Sequence, residues 1–116
     1  MSDLDKVGRA ADRAILEQLL QHGDDLSAER HTLVFFCRAD GDERHGELVF
    51  NPLAERLIAG GWSIYTLHAD GVSGEAQRRV DPASINQISE DMEALAEEFG
   101  VDYDGWECAV VSGATE

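Results

Sequence analysis

DPASINQISEDMEALAEEFGVDYDGWECAVV, residues 81–111, holds one complete helix and the strand that follows it. Asp81-Pro82 places a side-chain cap before a proline at the first helical position, where its fixed φ fits and its missing N–H costs nothing. Ser84 and Gln87 offer a capping box as a second way to start. Ile85, Ile88, Met92, Leu95 and Phe99 then step by three and four residues, which draws one narrow apolar stripe along a helix. Gly100 can close the helix in the left-handed conformation. In the strand, Val101 and Tyr103 share one parity, whereas Trp106, Cys108 and Val110 share the other. Asp104-Gly105 must therefore insert a turn or a bulge. A two-residue hairpin is one solution. Because Val101–Tyr103 is short for a strand of its own, we place the strand at about 105–111, with a loop or bulge before it. Parity makes Trp106 a core residue and leaves Tyr103 to the core or to an interface.

The chain upstream supplies the counterpart of this helix–strand unit. His31 to Ala39 (HTLVFFCRA) is rich in β-branched and aromatic residues and apolar on both faces, as a central strand covered twice would be. The second cover would be the N-terminal helix or a second copy of the chain, so a dimer is one expected assembly. Asp40–Glu43 reads as a turn. A helix then ends at Gly60-Gly61. It starts either at Asn51-Pro52 or near Glu43 with a kink at Pro52, and the spacing of Leu48, Val49, Leu53, Leu57 and Ile58 favours the longer form. Trp62–Ala69 alternates as a strand. Asp70–Gly74 makes a turn, and Glu75–Val80 makes a third strand whose Arg78 and Arg79 face solvent or pair with acids. Ahead of all this, Leu4, Val7, Ala11, Ala14, Ile15 and Leu19 predict an amphipathic helix over 4–22, capped by Ser2 or Asp3 and stopped by Gly23.

The order is therefore a helix followed by β-α-β-β-α-β. That order predicts an α+β, ferredoxin-like domain: a four-stranded antiparallel sheet with two helices on one face and an additional N-terminal helix. We read residues 1–116 as one domain, with 1–26 the leading helix and loop and 31–111 the ferredoxin-like core. The first and last strands would be neighbours, which could bring Cys37 and Cys108 close enough for a redox pair.

Charge narrows the function. The 116 residues carry a net charge of −15, with 43% hydrophobic and 28% charged residues. Beyond Arg79 there is no lysine or arginine, while ten acids follow. Binding to a phosphate backbone or an anionic membrane surface needs clustered basic residues, so direct nucleic-acid and membrane contact are not expected. No apolar run is long enough to span a bilayer, and the first residues lack a signal-peptide pattern, so the cytoplasm is the expected location. At 100° per residue, Glu90, Glu93 and Glu97 fall opposite the apolar stripe, with Asp91 and Glu98 on its flanks. Such a face is either simply solvated or a docking surface for a basic protein segment. Like charges at these spacings weaken an isolated helix by a few tenths of a kcal/mol each.

Catalytic and cofactor motifs are absent. There is no phosphate-binding Gly-rich loop with its lysine, no GxSxG elbow and no HExxH. His22, His31, His45 and His68 are scattered over separate elements, and the two cysteines have no zinc spacing. No cofactor or metal is expected, and no enzyme activity.

Residues 92–107, MEALAEEFGVDYDGWE, resemble the RraB family of regulators of ribonuclease activity, which inhibit ribonuclease E. An acidic helix ending Leu95-Ala96-x-x-Phe99, then Asp102, Tyr103, Asp104, Gly105 and Trp106, carries the resemblance, and the order of elements agrees with it. The resemblance implies a non-enzymatic ferredoxin-like protein that binds the basic scaffold region of ribonuclease E and modulates RNA decay. Applied to the charge reading, it makes Glu90, Glu93, Glu97, Glu98, Asp102 and Asp104 the expected partner-binding residues. The competing reading is a small-molecule-binding or enzymatic ferredoxin-like domain, with a site at the sheet face or dimer interface lined by Trp62, Tyr65 and His68.

Overall fold

Among the described residues, four strands hydrogen-bond into one antiparallel sheet in the order β2-β3-β1-β4, with three helices. The computed structural model describes residues 7–24, 26–38, 46–68 and 70–111, with backbone alone at 46–49. The elements are α1 (Ala10–Gln21), β1 (Arg30–Cys37), α2 (Gly46–Ala59), β2 (Ser63–His68), β3 (Gly71–Arg78), α3 (Pro82–Phe99) and β4 (Asp102–Cys108). The expected α+β class and order of elements are therefore present. The expected turn at Asp40–Glu43 and caps at Ser2 and Asp3 lie outside the described residues.

Strand β1 is central, paired with β3 on one side and β4 on the other. Its Thr32, Val34 and Phe36 face the helices. Val34 and Phe36 join Phe50, Leu53 and Leu57 of α2, Ile85 and Met92 of α3, and Trp106 of β4 in one buried core. Leu16 and Leu19 of α1 enter that same core. The leading helix thus does not cover the second sheet face. Leu33 and Phe35 lie there outside the helix-packed core, beside the His31–Glu75 pair at 2.6 Å.

Other boundaries moved for local reasons. Helix α1 begins at Ala10, not Leu4, and Arg9 at its N-cap makes no side-chain cap bond. Helix α2 runs from Gly46 through Pro52, as the longer reading expects; Leu53 and Leu57 are buried, but Ile58 points out, 57% exposed. Gly71–Gly74 belong to β3 rather than to a turn, pairing with Cys37, Phe36, Phe35 and Val34. A Cβ at Gly71 would lie 2.4 Å from the Phe36 carbonyl oxygen, so this close strand approach excludes a side chain. Arg78 does not face solvent freely: it stacks 4.7 Å over the Trp62 ring and donates to the Gly60 carbonyl at 3.2 Å. Arg79 pairs with Asp81 at 3.5 Å.

Strand β4 begins at Asp102, earlier than expected, and continues straight through Asp104-Gly105. Tyr103 pairs with Phe36 and Gly105 with Phe35, so Asp104 is the extra residue of a bulge. Gly105 sits at φ 106°, a conformation costly for any residue with a Cβ. This earlier start also separates the cysteines. Cys108 ends β4 opposite Thr32, while Cys37 lies opposite Asp102, at the other end of the ladder. Neither is in a disulfide, and burial, ahead of nearby charges, pushes the Cys108 thiol up.

The segment between α1 and β1 is anchored by an ion pair with almost no exposure, Asp24 with Arg30. Asp24 also accepts from the backbone N–H of Leu26 at 2.8 Å, an Asx-type turn, and of Val111 at 3.0 Å. Burial by itself would raise the Asp24 carboxyl. Together, the bonds from Arg30, Val111 and Leu26 outweigh it and hold the group below its ordinary 3.8. The folded chain therefore favours the anion more than the unfolded chain does. That contribution is complete above about pH 4 and is lost as pH falls through the lower folded value. Asp24→Asn should lower stability at neutral pH and flatten the acid limb below about pH 4, read by denaturant unfolding across pH. Parallel acid limbs in variant and wild type would contradict this assignment.

Candidate functional site

Helix α3 forms as its sequence dictates. Asp81 accepts from the Ser84 N–H at 3.4 Å and from its hydroxyl at 2.7 Å, Pro82 opens the helix, and Gly100 closes it at φ 70°. The Ser84–Gln87 capping box is not used; Gln87 bonds to Asp91 instead, at 2.9 Å. The buried face is rotated from the expected stripe. Ile85, Ile88, Ser89, Met92 and Ala96 are buried, while Leu95 and Phe99 are half-buried, Phe99 under the guanidinium of Arg56 at 5.8 Å. The rotation arises because α1 and β4 meet α3 on its Ser89 side.

That rotation decides where the acids point. The last turns of α3 and the first residues of β4 flank a cleft of about 840 Å³ at the end of the sheet. Glu93, Glu97, Asp102 and Asp104 line it, with Tyr103 and Arg38. All four acids are exposed. Four of the six expected partner-binding residues therefore meet around one concavity. Glu90 borders the adjoining hollow above α1, next to Arg9, Ser89 and Glu93. Glu98 turns away, pairing with Arg56 of α2 at 2.5 Å. Arg38, the cationic wall of the cleft, pairs with Asp70 at 3.5 Å.

Beneath the cleft lies a polar junction that sequence reading missed. Asp12 of α1, 1% exposed, accepts from the Ser89 hydroxyl at 2.5 Å and from the Trp106 indole N–H at 2.9 Å. One carboxylate thereby ties α1, α3 and β4 together. The signal was present: Asp12, Leu16 and Leu19 share one helical face, and Ser89 lies among Ile85, Met92 and Ala96 on another. A polar residue inside an apolar stripe marks a buried hydrogen bond rather than a break in the pattern. Tyr103 packs its ring against Phe36, centroids 5.4 Å apart, and its hydroxyl has no hydrogen-bond partner among the described residues. Burial, and then the Asp12 charge, raise the Tyr103 phenol well above its ordinary value, so it stays neutral.

Trp62, Tyr65 and His68 are not brought together. Trp62 is buried under the helices, whereas Tyr65, 55% exposed, meets His31 edge-on at 6.5 Å on the opposite sheet face. Among the described residues, no group of three or more His, Cys, Asp or Glu could hold a metal ion. No described helix is long and apolar enough to cross a membrane.

The fold and the cleft define an α+β domain with an acidic concavity at the end of its sheet. The sequence model of the RraB family, regulator of ribonuclease activity B, matches residues 9–108, and the chain belongs to that family. No curated protein matches the chain. The matched span covers all four strands, all but the ends of the described chain, and the whole acidic cleft. Membership makes this a regulator of ribonuclease activity.

Proposed function

We propose that this chain is a non-enzymatic regulator that docks a basic segment of ribonuclease E on the surface formed by Glu90, Glu93, Glu97, Asp102 and Asp104. The observation that carries this reading is the convergence of four of these acids on one cleft. Glu98 flanks the surface and is already engaged by Arg56. Excess negative charge in a concavity focuses the field on an approaching cation, raising association rate more than final affinity. The basic scaffold region of ribonuclease E has the complementary sign, and occupying it would compete with the RNA and proteins it holds. The protein works in this reading in the cytoplasm, without a cofactor and without touching RNA itself. The order β2-β3-β1-β4, with α2 joining β1 to β2 and α3 joining β3 to β4, supports the ferredoxin-like assignment.

The test is titration of the purified chain with the basic scaffold segment of ribonuclease E at rising salt. Binding at low ionic strength that weakens steeply toward 1 M salt, where screening acts over only about 3 Å, is expected. No binding at low salt would remove ribonuclease E as the partner.

A further inference from the structure

Besides Arg38, a second cation is already seated at the acidic surface, and it too belongs to the chain itself. The Arg9 guanidinium lies 5.1 Å above the Tyr103 ring. Its Nε is 3.2 Å from the Glu93 carboxylate, and one terminal nitrogen is 3.4 Å from the buried Asp12 carboxylate. The position is therefore built from three elements: an aromatic face from β4, an exposed carboxylate from α3 and a carboxylate from α1 that is 1% exposed. Planar stacking together with two carboxylates suits a guanidinium better than an ammonium.

Glu93 and Tyr103 also line the cleft. Phe36 and Arg9 both pack on the Tyr103 ring, so a second guanidinium would have to compete with Arg9 for it. Arg9 is loosely tethered for a residue at the start of a helix. Its side chain is 31% exposed, its Glu93 partner is 53% exposed, and α1 has no side-chain N-cap bond. The N–H of Gly8 before it donates to the Asn86 side-chain carbonyl at 3.0 Å.

We infer that Arg9, which borders the adjoining hollow and reaches the Tyr103 and Glu93 wall of the cleft, is an internal plug at that wall, and that an arginine of the bound segment displaces it. This rests on the proposed docking reading and adds an autoinhibitory contact to it. The partner it selects is arginine-bearing rather than merely basic. A plug held by an exposed ion pair to Glu93, a longer one to buried Asp12 and one cation–π contact would weaken binding by roughly three- to tenfold.

The test titrates the full chain at low ionic strength with a short peptide of alternating arginine and glycine, and with its lysine counterpart. Arg9→Gln should bind the arginine peptide roughly three- to tenfold more tightly than wild type, with a smaller gain for the lysine peptide. Arg13→Gln removes the same charge from the same helix, but Arg13 donates to the Val7 carbonyl at 3.1 Å and makes no contact with Tyr103 or Glu93, so it should change affinity little. Equal gains for the two variants, or no gain for Arg9→Gln, would overturn the plug while leaving cleft docking intact. Failure of wild type and Arg9→Gln to bind either peptide would overturn both. Independently of any variant, the Arg9 Nε–H resonance of the wild type should move toward that of a free arginine as the arginine peptide saturates; an unmoved resonance would overturn the displacement.

Discussion

Trp106→Ala should destabilise the domain by about 3–5 kcal/mol, a large part of the roughly 5–15 kcal/mol that holds a domain of this size. Two losses combine. The indole is 5% exposed in the core shared by the sheet and helices, so its removal leaves a cavity. Its N–H also donates to Asp12, and without it a buried carboxylate keeps only Ser89 and the distant edge of Arg9. Trp106→Phe separates the two effects: it retains most of the ring and loses the hydrogen bond, for about 1–3 kcal/mol. Equilibrium urea unfolding reads both variants. A Trp106→Ala variant within about 1 kcal/mol of wild type would show that the α1–α3–β4 junction does not support the fold.

The second large effect is on binding. Neutralising Glu93, Glu97 and Asp102 together (Glu93→Gln, Glu97→Gln, Asp102→Asn) should weaken binding of a basic ribonuclease segment by roughly 10- to 100-fold. The estimate takes about 0.5–1 kcal/mol for each partly exposed ion pair and treats the three as additive. Stability should change little. Glu97 and Asp102 are exposed, and relief of like-charge repulsion along α3 offsets loss of the Arg9–Glu93 pair. The salt dependence of binding should fall together with the affinity. A variant that folds and binds as tightly as wild type would move the contact surface elsewhere.

The same two regions show what the sequence made legible. Helix α3 was readable almost to the residue, because Asp81-Pro82 and Gly100 are local signals that need no tertiary partner. The bulge at Asp104-Gly105 was legible as a parity change but not as a position, since only pairing with Phe35 and Phe36 fixes which residue is extra. Gly71–Gly74 looked like a turn because small residues favour turns. In the structure they let β3 lie close to β1. The cleft was half legible. Helical periodicity put Glu93 and Glu97 on one face, but the approach of Asp102 and Asp104 depends on β4 starting just after Gly100. Glu98 left the group because Arg56, more than forty residues earlier, lies within reach across the helix pair. Asp12 and Arg9 were invisible as partners, since their contacts join segments 77 to 94 residues apart in sequence.

The central claim is that basic segments dock at the end of the sheet between α3 and β4. Mapping backbone amide shifts while an arginine-rich peptide is added tests it most directly. The account predicts that the perturbed amides cluster at Glu93, Glu97, Asp102, Tyr103 and Asp104, and that the pattern fades at high salt. Perturbations centred instead on the second sheet face, at His31, Tyr65 and Thr66, would contradict it.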